Sequence, residues 1–176
     1  VDAAWTLVGL GTDTYGHGHA VASAGDVNGD GYADIIIGVT AYSQGEEYEG
    51  GAFVWHGSED GVNDGDYFGT FGNADWMAES NQGNARMGTS VATAGDVNGD
   101  GYADVIVGAY LYDNGEQDEG AVFVWHGSAA GLGGSGNPAN ADWTAESDRG
   151  IALFGRSVGT AGDVNGDSYA DVVVGA

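Results

Sequence analysis

The chain has 176 residues, of which 27 are Asp or Glu and three are Arg (Arg86, Arg149, Arg156), giving a formal net charge of −24 with no Lys. So acidic a chain excludes nucleic acid and anionic membrane as electrostatic partners, because both demand a basic surface. The absence of Cys excludes a disulfide framework, and no apolar run reaches the ~18 residues that insertion across a membrane requires.

In chain order, the first strand signal is Trp5 to Val8, and a loop leads from it to a small-residue strand, Ala20 to Ala24. An acidic loop, 26–34, runs straight into Ile35-Ile36-Ile37-Gly38, which does not alternate and so predicts a strand buried on both faces. A second acidic loop, Glu46-Glu47-Tyr48-Glu49, precedes an aromatic strand from Ala52 to Trp55. The variable loop Glu59 to Asn73 then returns to a second Trp strand, Trp76 to Glu79. The same order recurs: Ser90 to Ala94, loop 96–104, Val105 to Gly108, Glu116-Gln117-Asp118-Glu119, and Ala121 to Trp125. The variable loop Ala129 to Asn140 holds the only Pro, Pro138, and leads to Trp143 to Glu146. A third round begins with Ser157 to Ala161, loop 163–171 and Val172-Val173-Val174-Gly175.

The repetition is close in sequence as well as in pattern. Trp55-His56-Gly57-Ser58 returns as Trp125-His126-Gly127-Ser128, and Ala74-Asp75-Trp76 returns as Ala141-Asp142-Trp143. Four strands per unit, no helical period and 35 glycines predict an all-β chain. A four-stranded antiparallel unit in tandem is a β-propeller blade, and about two and a half blades are present. The expected division is an outer strand completing a preceding blade (1–8), blade 1 (9–80), blade 2 (81–147) and the first half of blade 3 (148–176). The small-residue strand should lie innermost, where bulky side chains would collide, followed by the apolar, aromatic and Trp strands. A parallel β-helix of nonapeptide calcium repeats is the rival, but its period would be far shorter. Since a closed propeller has about four to eight blades, further blades are expected as partners. They would come from the rest of a longer chain or from neighbouring copies in a ring or filament.

The acidic loops carry the chemistry. Asp26, Asn28, Asp30 and Asp34 stand at positions 1, 3, 5 and 9 of the first; Asp96, Asn98, Asp100 and Asp104 and then Asp163, Asn165, Asp167 and Asp171 repeat the pattern. Ca²⁺ takes six to eight hard oxygen ligands, and in helix-loop-helix calcium loops position 7 adds a backbone carbonyl, here from Tyr32, Tyr102 and Tyr169. Those loops close on a Glu at position 12, where this chain has Ile37, Val107 and Val174, so the Asp at position 9 must close each loop. An Asp/Asn/Gly turn with no ion is the simpler alternative. It leaves three aspartates crowded in nine residues, three times over, with no Lys or Arg in any loop. Up to three calcium ions are therefore expected. Position 6 is Gly31, Gly101 and then Ser168; a side chain at a left-handed position costs roughly 1 kcal/mol, so the third site should be weaker.

The stretches Phe154-Gly155-Arg156-Ser157-Val158, Gly162 to Asp167 and Val174-Gly175-Ala176 resemble the FG-GAP repeat of integrin α-subunit propellers and their bacterial relatives. The middle copy has Met87-Gly88 and Gly108-Ala109-Tyr110 at these places, and the first has His17-Gly18 and Gly38-Val39-Thr40. The resemblance covers nearly the whole chain. It implies a seven-bladed propeller with calcium between the first two strands of a blade, an extracellular location, and adhesion or scaffolding as its work. It leaves protein or glycan ligands open.

No arrangement points to catalysis: Cys is absent, and no Ser occupies a nucleophile-elbow context. His56 and His126 sit at equivalent places and predict a repeated structural role; His17 replaces a motif residue and its neighbour His19 has no equivalent in the other copies, with a His-Gly-His metal site there as the alternative. The five Trp recur at matched places, which predicts core packing rather than a sugar-stacking surface. The alternative function is an accessory or substrate-gripping module of a secreted polysaccharide-acting enzyme.

Overall fold

The computed structural model describes residues 5–7, 18–62 and 68–176. Val8, His17 and residues 63–67 of the first variable loop lie outside these described residues. Within them, β1 (Thr6–Leu7) is followed by β2 (Ala20–Gly25), β3 (Asp34–Val39), β4 (Gly51–Trp55) and β5 (Phe68–Gly69). A short 3-10 turn at Phe71–Asn73 precedes β6 (Trp76–Glu79). Then come β7 (Met87–Gly95), β8 (Asp104–Ala109), β9 (Ala121–Trp125), β10 (Ala129–Leu132) and β11 (Trp143–Glu146). β12 (Ser157–Gly162) and β13 (Asp171–Gly175) complete the series.

Two four-stranded antiparallel sheets form, in the orders β2-β3-β4-β6 and β7-β8-β9-β11, and β12 pairs with β13 as β2 does with β3. The predicted all-β class and the predicted strand order hold in both complete sheets. Ser23/Gly25 and Thr93/Gly95 carry a register shift just before the acidic loops. The bulge turns the chain out of the sheet where the loop begins.

The apolar strands lack alternation because sheets cover both of their faces. Ile36, Val54, Val105 and Val107 share one buried layer between the two complete sheets, while Ile106, Val122 and Val124 face the other way, towards Val158 and Val172. β8 is buried end to end, whereas Val173, on the equivalent strand of the half sheet, is 57% exposed. The small-residue strands pack on one another, β2 against β7 and β7 against β12. They do so closely enough to require glycine. A Cβ added to Gly38 would stand 1.9 Å from the carbonyl oxygen of Gly88, and one on Gly108 would stand 2.0 Å from that of Gly155. The glycines of one repeat's two signature dipeptides therefore meet those of its neighbours.

The tryptophans also join sheets. Trp76 of the first sheet packs on Trp125 of the second with ring centroids 5.2 Å apart, and Trp5 packs on Trp55 at the same separation. Parallel pairing accompanies both contacts: Leu7 with Gly69, and Ala78 with Gly136. Trp143 holds the matching place on the second sheet but is 44% exposed, because β12 and β13 offer no aromatic strand to receive it.

Candidate metal centres

Each acidic loop is shaped by its own side chains. In the first, Asp26 Oδ1 accepts the N–H groups of Gly29 (2.7 Å) and Asp30 (3.1 Å), and Oδ2 accepts that of Gly31 (2.9 Å). Asn28 Oδ1 accepts Asp30 N–H at 3.0 Å, Asp30 Oδ1 accepts Tyr32 N–H at 2.9 Å, and Asn28 Nδ2 donates to Asp30 Oδ2 at 2.9 Å. The same set recurs from Asp96 to Tyr102 and from Asp163 to Tyr169. Position 6 is left-handed in all three, with φ of +92° at Gly31 and Gly101 and +76° at Ser168, as the sequence predicts. Backbone N–H groups, that of Ser168 foremost, hold the Asp163 carboxyl below its ordinary pKa.

Position 9 is different. Asp34 and Asp104 are fully buried. Asp34 Oδ2 accepts Val27 N–H (2.7 Å) and Oδ1 accepts Gly57 N–H (2.8 Å), so its carboxylate ties the loop to the corner after β4. Asp104 does the same with Val97 and Gly127, at 2.8 and 2.9 Å. Burial raises the pKa of both carboxyls and outweighs the backbone hydrogen bonds that lower it. Asp171 keeps only the first of these bonds, to Val164 at 2.9 Å. This structural duty was missed by sequence reasoning; the recurrent Gly57 and Gly127 in the Trp-His-Gly-Ser stretches were its only trace.

The three loops form a row along one end of the sheets. Ala103 N–H donates to Asp26 C=O at 3.0 Å, and Ala170 N–H to Asp96 C=O at 2.8 Å. Gly29 lies against the Tyr102 ring and Gly99 against the Tyr169 ring, where an added Cβ would come within 2.5 and 2.6 Å. Position 4 of one loop thus receives position 7 of the next.

The donor set of each loop fits calcium. It is all oxygen; Oδ1 of Asp26, Asp96 and Asp163 each accepts two N–H groups, but the other loop carboxylate oxygens accept at most one donor and keep a lone pair. The loop carboxylates are nevertheless held apart. Among the described residues, the group of three acidic side chains that brings ligand atoms within 4.8 Å of one another is a different one, Glu119, Glu146 and Asp148. In the first sheet their counterparts are Glu49, Glu79 and Asn81. Burial raises the pKa of Glu49 and Glu79, and each has an Oε2 that is buried without a hydrogen-bond partner. The sequence marked Glu49 and Glu119 as members of recurring acidic loops and Glu79 and Glu146 as ends of the Trp strands, but nothing in it brought them together.

The matched histidines occupy equivalent places in the two sheets. His56 N–H donates to Asp75 at 2.7 Å and His126 N–H to Asp142 at 2.8 Å, with each imidazole Nδ1 3.9 Å from the same carboxylate. Trp55 Nε1 and Trp125 Nε1 donate to Asn73 and Asn140, each at 3.1 Å. His19, by contrast, lines a cavity of about 230 Å³ with Thr40, Arg86, Thr89, Tyr110 and Arg156. The Arg86 guanidinium lies over the Tyr48 ring at 4.3 Å.

Tandem four-stranded sheets that pack through their inner strands, each with an acidic Asp/Asn/Gly loop at one end, define the blades of a β-propeller. The chain belongs to the FG-GAP family: the FG-GAP repeat matches residues 17–55, 87–125 and 154–176. It is similar to integrin alpha-7 of Homo sapiens, with 31% identity over 164 residues, covering 93% of this chain and 12% of the integrin. Integrin alpha-4 of Xenopus laevis is 32% identical over 160 residues, covering 89% and 14%. Integrin alpha-PS2 of Drosophila melanogaster is 31% identical over 163 residues, covering 90% and 11%. The chain therefore spans about an eighth of the length of these curated relatives and is an integrin-alpha-like propeller module. No helix among the described residues is long and apolar enough to cross a membrane.

Proposed function

We propose that the three loops bind calcium and that the ions rigidify the blades of an extracellular propeller with an adhesion, scaffolding or self-assembly role and no catalysis of its own. Side-chain oxygens of Asp26, Asn28, Asp30 and Asp34 and the Tyr32 carbonyl would hold the first ion, and the equivalent residues of loops 96–104 and 163–171 the others. The observation that carries this reading is the threefold recurrence of one hydrogen-bonded scaffold around an oxygen-only donor set. Bound calcium would offset the mutual repulsion of carboxylates that have no basic neighbour in the loop. Millimolar extracellular calcium matches the affinities of extracellular modules, about 10⁻⁴–10⁻³ M.

The blade division follows the same logic. Leu7 faces Gly69 as Ala78 of the first sheet's outer strand faces Gly136. Residues 1–8 would thus supply the outer strand of a preceding blade, with 9–80, 81–147 and 148–176 as blade 1, blade 2 and half of blade 3. Further blades, in the same polypeptide or in neighbouring copies, are the natural partners of the exposed Trp143 and Val173.

Calorimetric titration with Ca²⁺, paired with thermal melting in excess EDTA, tests the reading. A site saturated 100-fold over its Kd stabilises by about 2.7 kcal/mol, so chelation should lower Tm sharply. Asp30→Ala or Asp100→Ala should reproduce part of that loss. Melting that is unchanged by chelator would overturn the assignment.

A further inference from the structure

A second acidic site occupies the opposite end of each complete sheet. The loops leave the sheet where Gly25 pairs with Asp34, whereas Glu79 lies at the other end, paired with Gly51. In the second sheet Glu119 precedes β9, Glu146 ends β11, and Asp148 lies on the connection to β12. Glu119 comes from one stretch and Glu146 and Asp148 from another, yet each of the three offers an oxygen within 4.8 Å of the others. Glu119 is 1% exposed. Its Oε1 accepts the N–H groups of Asn114 (2.6 Å) and Glu116 (3.2 Å), and Oε2 is left without a hydrogen bond among the described residues. Glu146 Oε2 accepts Asn114 Nδ2 at 2.6 Å.

The first sheet repeats the arrangement and adds an independent observation. Glu49 is 0% exposed, and Gln44 N–H reaches its Oε1 at 2.6 Å. Its Oε2 is buried and unpartnered, as is Oε2 of Glu79, with which it interacts electrostatically. Two buried carboxylate oxygens without donors, each also facing the like-charged Glu46, are relieved either by a bound cation or by a shared proton, and the acid-only lining favours the cation. No Arg, Lys or His side chain forms an ion pair with these carboxylates among the described residues.

We propose that Glu119, Glu146 and Asp148 form a second divalent-cation site, distinct from the loops, which clips the connection between blades to the end of the second sheet. Glu49 and Glu79 form its counterpart in the first. All the protein ligands are carboxylate oxygens and Asp148 is exposed, so the site suits Ca²⁺ or Mn²⁺ with water completing the shell. The counterpart has Asn81 where the second sheet has Asp148, one charge fewer at that place, and binds more weakly.

Mn²⁺ is the probe, because its free-ion electron paramagnetic resonance signal gives the number of bound ions by difference from the total added. Asp148→Asn and Glu146→Gln are made in the full chain, with Asp30→Ala as the loop control. Wild type should bind at least one more Mn²⁺ than the number of intact loops. Asp148→Asn and Glu146→Gln should weaken that class on the order of tenfold and leave the loop class unchanged. Asp30→Ala should do the reverse, so that failure of the loop assignment and of this one are told apart. Melting supplies a second readout: Glu146→Gln should raise Tm in EDTA, by removing a repelling charge, and lower it relative to wild type in millimolar Ca²⁺. Identical Mn²⁺ binding in wild type and both cluster variants overturns the proposal. So does a Glu146→Gln protein that is more stable in both conditions, which marks the cluster as a proton-sharing pair.

Discussion

Asp34→Ala separates what the position 9 carboxylate does for the fold from what it does for an ion. In EDTA the substitution removes the acceptor of two N–H groups, Val27 at 2.7 Å and Gly57 at 2.8 Å, both on buried residues. Each orphaned donor costs about 1–3 kcal/mol. Relief from burying a carboxyl whose pKa is raised by desolvation offsets part of that sum, leaving a net loss of about 2–4 kcal/mol. For a chain of this size that corresponds to a fall in Tm of roughly 5–15 °C. Asp30→Ala, measured the same way, removes only solvent-exposed loop bonds and should stay within about 0.5 kcal/mol of wild type. The assay is urea and thermal unfolding by tryptophan fluorescence, with the two variants run side by side in chelator and in Ca²⁺. If Asp34→Ala and Asp30→Ala are equally mild in chelator, Asp34 acts through an ion alone and its backbone duty is wrong.

Gly99→Ala should cost about 2–4 kcal/mol with or without calcium, because it combines a left-handed backbone position with a collision against the Tyr169 ring; an unchanged urea midpoint would count against loop-to-loop docking. Ser168→Gly should tighten the weakest calcium class in a calorimetric titration, and three sites that bind alike would refute the position 6 argument. Trp76→Ala should destabilise by about 3–5 kcal/mol, since Trp76 is buried on Trp125 and donates to Gly134 C=O. Trp143→Ala should cost far less in the same melt, and equal losses would show that the exposed ring packs against something in solution.

Much of this architecture was legible along the chain, because a repeat writes each structural requirement several times. The non-alternating run Ile35 to Ile37 marked a strand covered on both faces. The small residues of β2 and β7 marked the crowded inner strand, and the spacing of Asp26, Asn28, Asp30 and Asp34 marked an oxygen-rich loop. These are local signals, set by side-chain period and turn chemistry, and each needs only neighbours in sequence to be read. Contacts between units were not legible. That Gly38 must meet Gly88, that Gly29 must receive the Tyr102 ring, and that Asp34 reaches 23 residues ahead to Gly57 depend on how one sheet or corner sits against another. The second acidic cluster is the extreme case. In a chain with 27 carboxylates, no spacing singles out Glu119, Glu146 and Asp148. Only the antiparallel register of β9 with β11 brings Glu119 to Glu146 and its near neighbour Asp148 at the end of one sheet, because charges on two different strands meet only when the backbone between them is folded.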